Sequence, residues 1–350
     1  VHSTPVAGAV MSPGPRTVLG DPLTVVDLDR DPAPEPATGR IVIGWSSDPA
    51  RVPDAMLDRT DLTLVPAGST ARSGSRSATD PRCVPVPDRD AGTAELRAAV
   101  TANPHAAVVL AGLLRWSPGL TVPAALEAES LAYSMLLGGP EFARWLAGRG
   151  DRPPPPDVDD PVLPALDGDR LRITLNRPRR RNAYGRQLRD ALVDALDVAE
   201  TLAAARPGLG VVIDGAGPCF CSGGDLAEFG TTPDPVTAHL VRTAGGAAAP
   251  LHRLAARTEI RVHGPCVGAG VELAAFAGRV VAHEDTTFRL PEIAMGLIPG
   301  AGGTVGVPRR IGRARTLHLA LTGRTLDTPT ALAWGLVDAV GTRPEPPSSA

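Results

Sequence analysis

The sequence predicts an α/β fold, and three observations carry that expectation. Short runs rich in β-branched residues recur along the chain, GVVIDG and RVVAH among them. Small-residue or amphipathic helical stretches alternate with these runs, and glycine-rich turns join the two. An apolar share of 43% over 350 residues fills a sizeable core, with room for two domains or one domain and an extension.

Taken in order, residues 1–20 and 67–82 are rich in Ser, Gly, Pro and Arg and read as disordered or loop-like. Around them, PLTVVDLD, RIVIGWSS and DLTLVP read as three short strands. Residues 1–92 are thus expected to form a small α/β unit or a degenerate copy of the later core. Residues 93–151 carry apolar residues at three- and four-residue spacing, the pattern of two or three helices. RPPPPDVDDPVLP at 152–164 reads as a semi-rigid proline linker, 165–341 as the main core, and 342–350 as a disordered tail.

Within the core, GVVIDG leads toward a Gly223-Gly224 turn, after which a helix is expected near Asp225. GPCVGAGVELA repeats this logic, with Gly268, Ala269 and Gly270 opening the helix that carries Glu272. The strand RVVAH, the turn EDTT and the extended piece FRLPE then return Glu292 toward the start of that helix. Two helix N-termini aimed at one point stabilise an enolate oxygen, by about 3–4 kcal/mol for each donor. Two carboxylates among apolar neighbours such as Leu273, Leu290 and Ile293 run acid and base chemistry if one is protonated while the other is ionised.

These residues resemble the enoyl-CoA hydratase/isomerase, or crotonase, superfamily. The resemblance rests on LNRPRRRNAYGRQL, CFCSGGDLAEF, GPCVGAGVELAAFAGRVVAHEDTTFRLPEIAMGLIPGAGGT and RRIGRARTLHLALTGRTLDTPTALAWGLVDAV, in that order over about half the chain. It implies a crotonase-like spiral of ββα units, acyl-CoA substrates, and a homotrimer or dimer of trimers. By position it implies that Gly224 and Ala269 are the oxyanion-hole amides and that Glu272 and Glu292 are the acid/base pair. It implies that Gly300 helps hold the reacting water, and that Arg181, Asn182, Ala183, Ser222, Asp225 and Leu226 lie along the coenzyme A moiety.

Ordinary members continue for several helices after the equivalent of GLVDAV. Here Leu126, Glu129, Leu136, Glu141, Phe142, Trp145, Leu146 and Arg149 resemble those terminal helices instead. The expectation is a permuted arrangement in which residues 94–150 replace the tail helices and pack against the site of their own or a neighbouring subunit.

Composition excludes several other classes. A net charge of −3 argues against nucleic-acid and membrane-surface partners, although every one of the 35 basic residues is arginine. No apolar run approaches the ~20 residues of a membrane span. The opening segment lacks the features of a signal peptide. Cys83, Cys219, Cys221 and Cys266 form no metal-ligand or disulfide pattern, which fits a reducing cytoplasm. GAGGTVG at 300–306 follows no clear strand and lacks the later acidic residue of a dinucleotide site.

Individual residues have ordinary alternatives. Cys219 and Cys221 alternate along a strand end and read as small packing residues, and His263 as a turn residue satisfied by backbone. Arg289 reads as a strand-edge charge. The Arg177–Arg181 cluster reads as contact with coenzyme A phosphates or as a solvated loop.

The expected reaction is syn addition of water to a 2-enoyl-CoA, or its reversal, with no prosthetic group and coenzyme A entering as part of the substrate. The alternatives are another crotonase-fold reaction, isomerisation or hydrolysis, and a catalytically idle acyl-CoA-binding partner subunit.

Overall fold

A computed structural model describes residues 20–67, 80–150, 152–153 and 156–343. Much of the segments read as loop-like at 1–20 and 67–82, part of the 152–164 linker and most of the 342–350 tail lie outside the described residues.

Four parallel strands open the chain: β1 (Leu23–Asp27), β2 (Ile41–Trp45), β3 (Leu62–Pro66) and β4 (Cys83–Val86), hydrogen-bonded in that order. IVIG and LTLV are buried throughout, as expected for parallel strands covered on both faces. The sequence reading found the first three and passed over CVPV. Pro85 removes a ladder donor, which weakens the strand signal, and β4 is an edge strand where that loss is tolerated.

Four helices follow: Arg89–Ala102, Pro104–Trp116, Val122–Leu137 and Pro140–Arg149. Proline stands in the first turn of the last three, where its missing N–H costs nothing and its fixed φ starts a helix. Asp88 caps the first by accepting from Ala91 N at 2.7 Å. Buried Glu141 caps the second across the bundle, accepting from His105 N at 2.8 Å and Ala106 N at 3.0 Å.

The second sheet has six strands in the order β13-β10-β8-β7-β6-β5. These are β5 (Val162–Asp167), β6 (Arg170–Leu175), β7 (Gly210–Gly215), β8 (Thr258–Val262), β10 (Arg279–Ala282) and β13 (Ala339–Val340). β5 and β6 form an antiparallel hairpin, and the remaining pairs are parallel. The helix Arg186–Ala205 crosses from β6 to β7 and buries Leu188, Leu192, Ala195, Leu196 and Ala199, one stripe of a 3.6-residue period.

A third, shorter sheet joins β9 (Pro265–Val267), β11 (Thr287–Arg289) and β12 (Leu326–Asp327). Isolated bridges Cys221↔Cys266 and Tyr184↔Gly224 extend it. β8 and β9 enter the second and third sheets in turn and lead to the helix Ala269–Ala274. β10 and β11 then repeat the step, which is the spiral ββα arrangement.

The helix expected near Asp225 is absent: residues 226–230 form a turn. Asp225 is buried, takes Arg180 at 2.8 Å and accepts from Ala227 N at 3.1 Å. That local side-chain-to-backbone bond competes with helix initiation. One contiguous apolar core runs from Leu23 through the four-helix segment to Val337. Among the described residues, no helix is long and apolar enough to cross a membrane.

Candidate active site

Two glycine-bearing loops meet because the Cys221↔Cys266 bridge lays their strands side by side. Each turns through a glycine at positive φ, Gly223 at 97° and Gly268 at 48°. A Cβ on Gly268 would stand 2.6 Å from Glu292 Oε1 and 3.6 Å from Gly223 Cα, so both loops and that carboxylate converge on one point. The next residues, Gly224 and Ala269, line a cavity of about 860 Å³. Among the described residues neither amide N–H donates to a protein acceptor. Only Ala269 stands at a helix N-terminus; Gly224 belongs to the turn, so the expected pair of helix N-termini is one helix and one turn.

Three buried carboxylates, Glu272, Glu129 and Glu292, line the same cavity. Glu272 Oε2 accepts from Ala301 N at 2.6 Å and Gly303 N at 2.9 Å. Glu129, from the Val122–Leu137 helix, accepts from Gly302 N at 2.7 Å, Thr304 N at 2.8 Å and Thr304 Oγ1 at 2.7 Å. Consecutive amides of the turn are therefore taken alternately by two glutamates, one from each half of the chain. Glu292 differs: its Oε2 is buried and has no hydrogen-bond partner.

Burial pushes all three carboxyls up. Glu129 rises to about 7, against its bonds to Thr304 and Gly302. Glu292 rises to about 8, through burial and then the charge of Glu129. Glu272 lies well above the usual range, through burial and then the charges of Glu292 and Glu129. Each group disfavours a second negative charge beside it. This is the environment that separates an acid from a base at neutral pH.

The four-helix segment roofs the cavity. Pro123, Leu126, Glu129, Tyr133 and Trp145 line it from that segment, together with Leu226, Phe229, Val241 and Met295. Phe142, Trp145 and Phe229 form an aromatic cluster with centroids 5.8–6.5 Å apart. Arg149 Nη2 donates to Phe229 O at 3.3 Å. Gly300 lies directly against the Tyr133 ring, leaving no room there for a side chain. Residues 94–150 thus pack onto Glu272 and Glu292 within the same chain.

The candidate residues divide into two groups. Glu272, Glu292, Gly224, Ala269, Gly300, Ser222 and Leu226 all line the cavity. Arg181, Asn182, Ala183 and Asp225 do not line it. Asn182 is fully buried and spends its side chain on Arg177 N, Ala216 O and Cys219 O, holding the loop in shape. Arg177 is buried beside Asp225 at 3.9 Å, so it is neither a solvated loop charge nor a free phosphate contact. Arg289 is not on an edge strand: it is the exposed last residue of β11, the central strand of its sheet, and its Nε donates to Gly323 O at 2.6 Å. His263 bonds Gly217 O at 3.0 Å, and Cys219 and Cys221 are buried packing residues outside the cavity.

Sequence reasoning named Glu129 only as part of the resemblance to terminal helices, with no site role, and did not name Tyr133. Their local sequence, AALEAESLAY, reads as an ordinary helix, and only the acid-aromatic-basic pattern of the whole segment pointed toward the site.

The family model for enoyl-CoA hydratase/isomerase matches residues 170–345. The probable enoyl-CoA hydratase echA8 of Mycobacterium bovis is 35% identical over 171 residues, 48% of this chain and 63% of that protein. The 2,3-dehydroadipyl-CoA hydratase of Escherichia coli is 36% identical over 170 residues, 49% of this chain and 65% of that protein. The chain thus spans less than two thirds of the length of either relative. The crystal structure of an enoyl-CoA hydratase from Mycobacterium smegmatis aligns with a TM-score of 0.46 at 28% identity, over 52% of this chain and 70% of that one.

Proposed function

The chain belongs to the enoyl-CoA hydratase/isomerase, or crotonase, superfamily, and we propose that within it this protein adds water across the double bond of a 2-enoyl-CoA or removes it. The thioester oxygen sits between the Gly224 and Ala269 amides, whose hydrogen bonds strengthen as charge moves onto it. Water lies between Glu272 and Glu292 beside Gly300. The water oxygen bonds to the β-carbon, Glu272 takes its proton, and Glu292 delivers a proton to the α-carbon on the same face.

One observation carries this assignment, the unequal solvation of the two carboxylates. Burial raises both carboxyls, but Glu272 has two backbone donors that oppose the rise and favour its ionised form, whereas Glu292, raised to about 8, has an unpartnered buried oxygen. The same orphan oxygen weighs against an idle binding subunit, since an unpaired buried carboxyl is costly to retain without use. The chemistry needs only side chains and backbone donors, with coenzyme A carried by the substrate. The four helices of residues 89–149 act as the site's cover. Exposed Leu131, Met135, Val236 and Leu240 on two neighbouring helices suit an association of copies such as a trimer.

The test is incubation with straight-chain, branched and aromatic 2-enoyl-CoAs in oxygen-18 water, read by mass spectrometry. Labelled 3-hydroxyacyl-CoA is expected, with Glu272→Gln and Glu292→Gln each lowering turnover by roughly 10²–10⁴. Double-bond migration without label would assign isomerisation instead.

A further inference from the structure

The cavity that holds the two glutamates is also lined by a cation that, among the described residues, forms no ion pair. Arg242, on the helix Pro235–Gly245, lines the cavity with its guanidinium carbon 4.2 Å from the centre of the Tyr133 ring. Tyr133 in turn lies against Gly300, next to Ala301 whose amide Glu272 holds, so contacts link Arg242 through Tyr133 to the turn at the acid/base pair. Nη1 donates to Ser134 Oγ at 3.0 Å and more weakly to Ser130 Oγ at 3.4 Å. Among the described residues Nε and Nη2 have no acceptor, and Arg242 forms no ion pair. Arg189, the other arginine lining this cavity, pairs with Asp190 at 2.6 Å, and Arg149, whose Nε and Nη1 also have no partner, lies outside the lining.

A partly desolvated guanidinium stacked on an aromatic face, with two donors open, is built to receive a planar anion. It lines the same cavity as the acid/base pair and the two amides, and touches Tyr133, which lies against Gly300. We propose that the acyl group accepted here ends in a carboxylate, which Arg242 receives across its free Nε and Nη2 edge. This rests on the acyl-CoA reading of the site and adds the class of acyl chain. Tyr133 holds the guanidinium in plane, and the apolar wall of Leu126, Val241 and Met295 covers the methylene groups between.

The rival role for Arg242 is to offset the negative charge of Glu129 and Glu272, whose fields it feels. A preference between substrates separates the two roles. Binding of the saturated, unreactive pair adipyl-CoA and hexanoyl-CoA is measured by calorimetry, and hydration of the corresponding 2-enoyl esters by product formation. The full chain is expected to favour the carboxylated member by about tenfold or more in both assays. Arg242→Gln is expected to bring both ratios close to one, and Arg242→Lys to leave part of the preference. No preference in the unsubstituted protein, or a ratio unchanged in Arg242→Gln, overturns the proposal. Because the calorimetric ratio needs no turnover, a preference in binding without hydration of either ester would refute the hydratase reading and leave this one standing.

Discussion

Glu129 and Glu272 share one turn, each accepting from alternate amides of Ala301–Thr304, and the consequence is electrostatic as well as mechanical. A negative charge at Glu129 raises both Glu272 and Glu292. If Glu292 must be protonated to act as the acid, hydration is lost as pH rises through about 8. Glu129→Gln removes the like charge, so the neighbouring carboxyls fall toward their ordinary range and the alkaline limb of kcat/KM moves to lower pH. A limb that stays in place while kcat alone falls would make Glu129 a purely structural clamp. At this scale the sequence exposed Glu272 and Glu292 because each sits beside a glycine turn. Glu129 was visible only as part of a resembling segment, and its role was not, because the amides it holds are 173 and 175 residues away.

Among the elements, the roof depends on one cross-bundle cap. Glu141 is buried on the last roof helix and satisfies the first amides of Pro104–Trp116. Glu141→Ala leaves those donors unpaired in a closed space and is expected to destabilise the fold by about 1–3 kcal/mol, read as a lower denaturant midpoint. An unchanged midpoint would mean that water replaces the carboxylate there. Strands rich in Val and Ile and the Arg186–Ala205 stripe were legible from period alone. β4 was lost to its proline, and the turn after Gly224 was mistaken for a helix because Asp225 satisfies a nearby amide as well as it would cap a helix. Both errors are places where a single side chain outweighed the regional pattern.

On the scale of the molecule, one apolar core crosses the proline-rich stretch, with Leu110, Leu114 and Phe142 in the same cluster as Leu273, Ile298 and Val305. Chains covering 20–153 and 156–343, expressed separately with a tag on one, are expected to co-purify and to hydrate enoyl-CoA only together. An active, monodisperse 156–343 fragment would show that the roof is dispensable. The relation between the halves was legible only as a resemblance of one segment to helices found elsewhere in the family; the contacts that realise it are long-range, and periodicity is blind to them. The order of the halves also bears on biosynthesis. Glu129 leaves the ribosome 173 residues before its partner Gly302, which at roughly 5–20 residues per second is a delay of about 9–35 s. Where a cover is translated last, a finished core waits for it. Here the cover is made first and must keep Leu126, Tyr133 and Trp145 from non-productive contacts until the core arrives, so the nascent chain, more than the finished protein, is the state in which a holding chaperone is most needed.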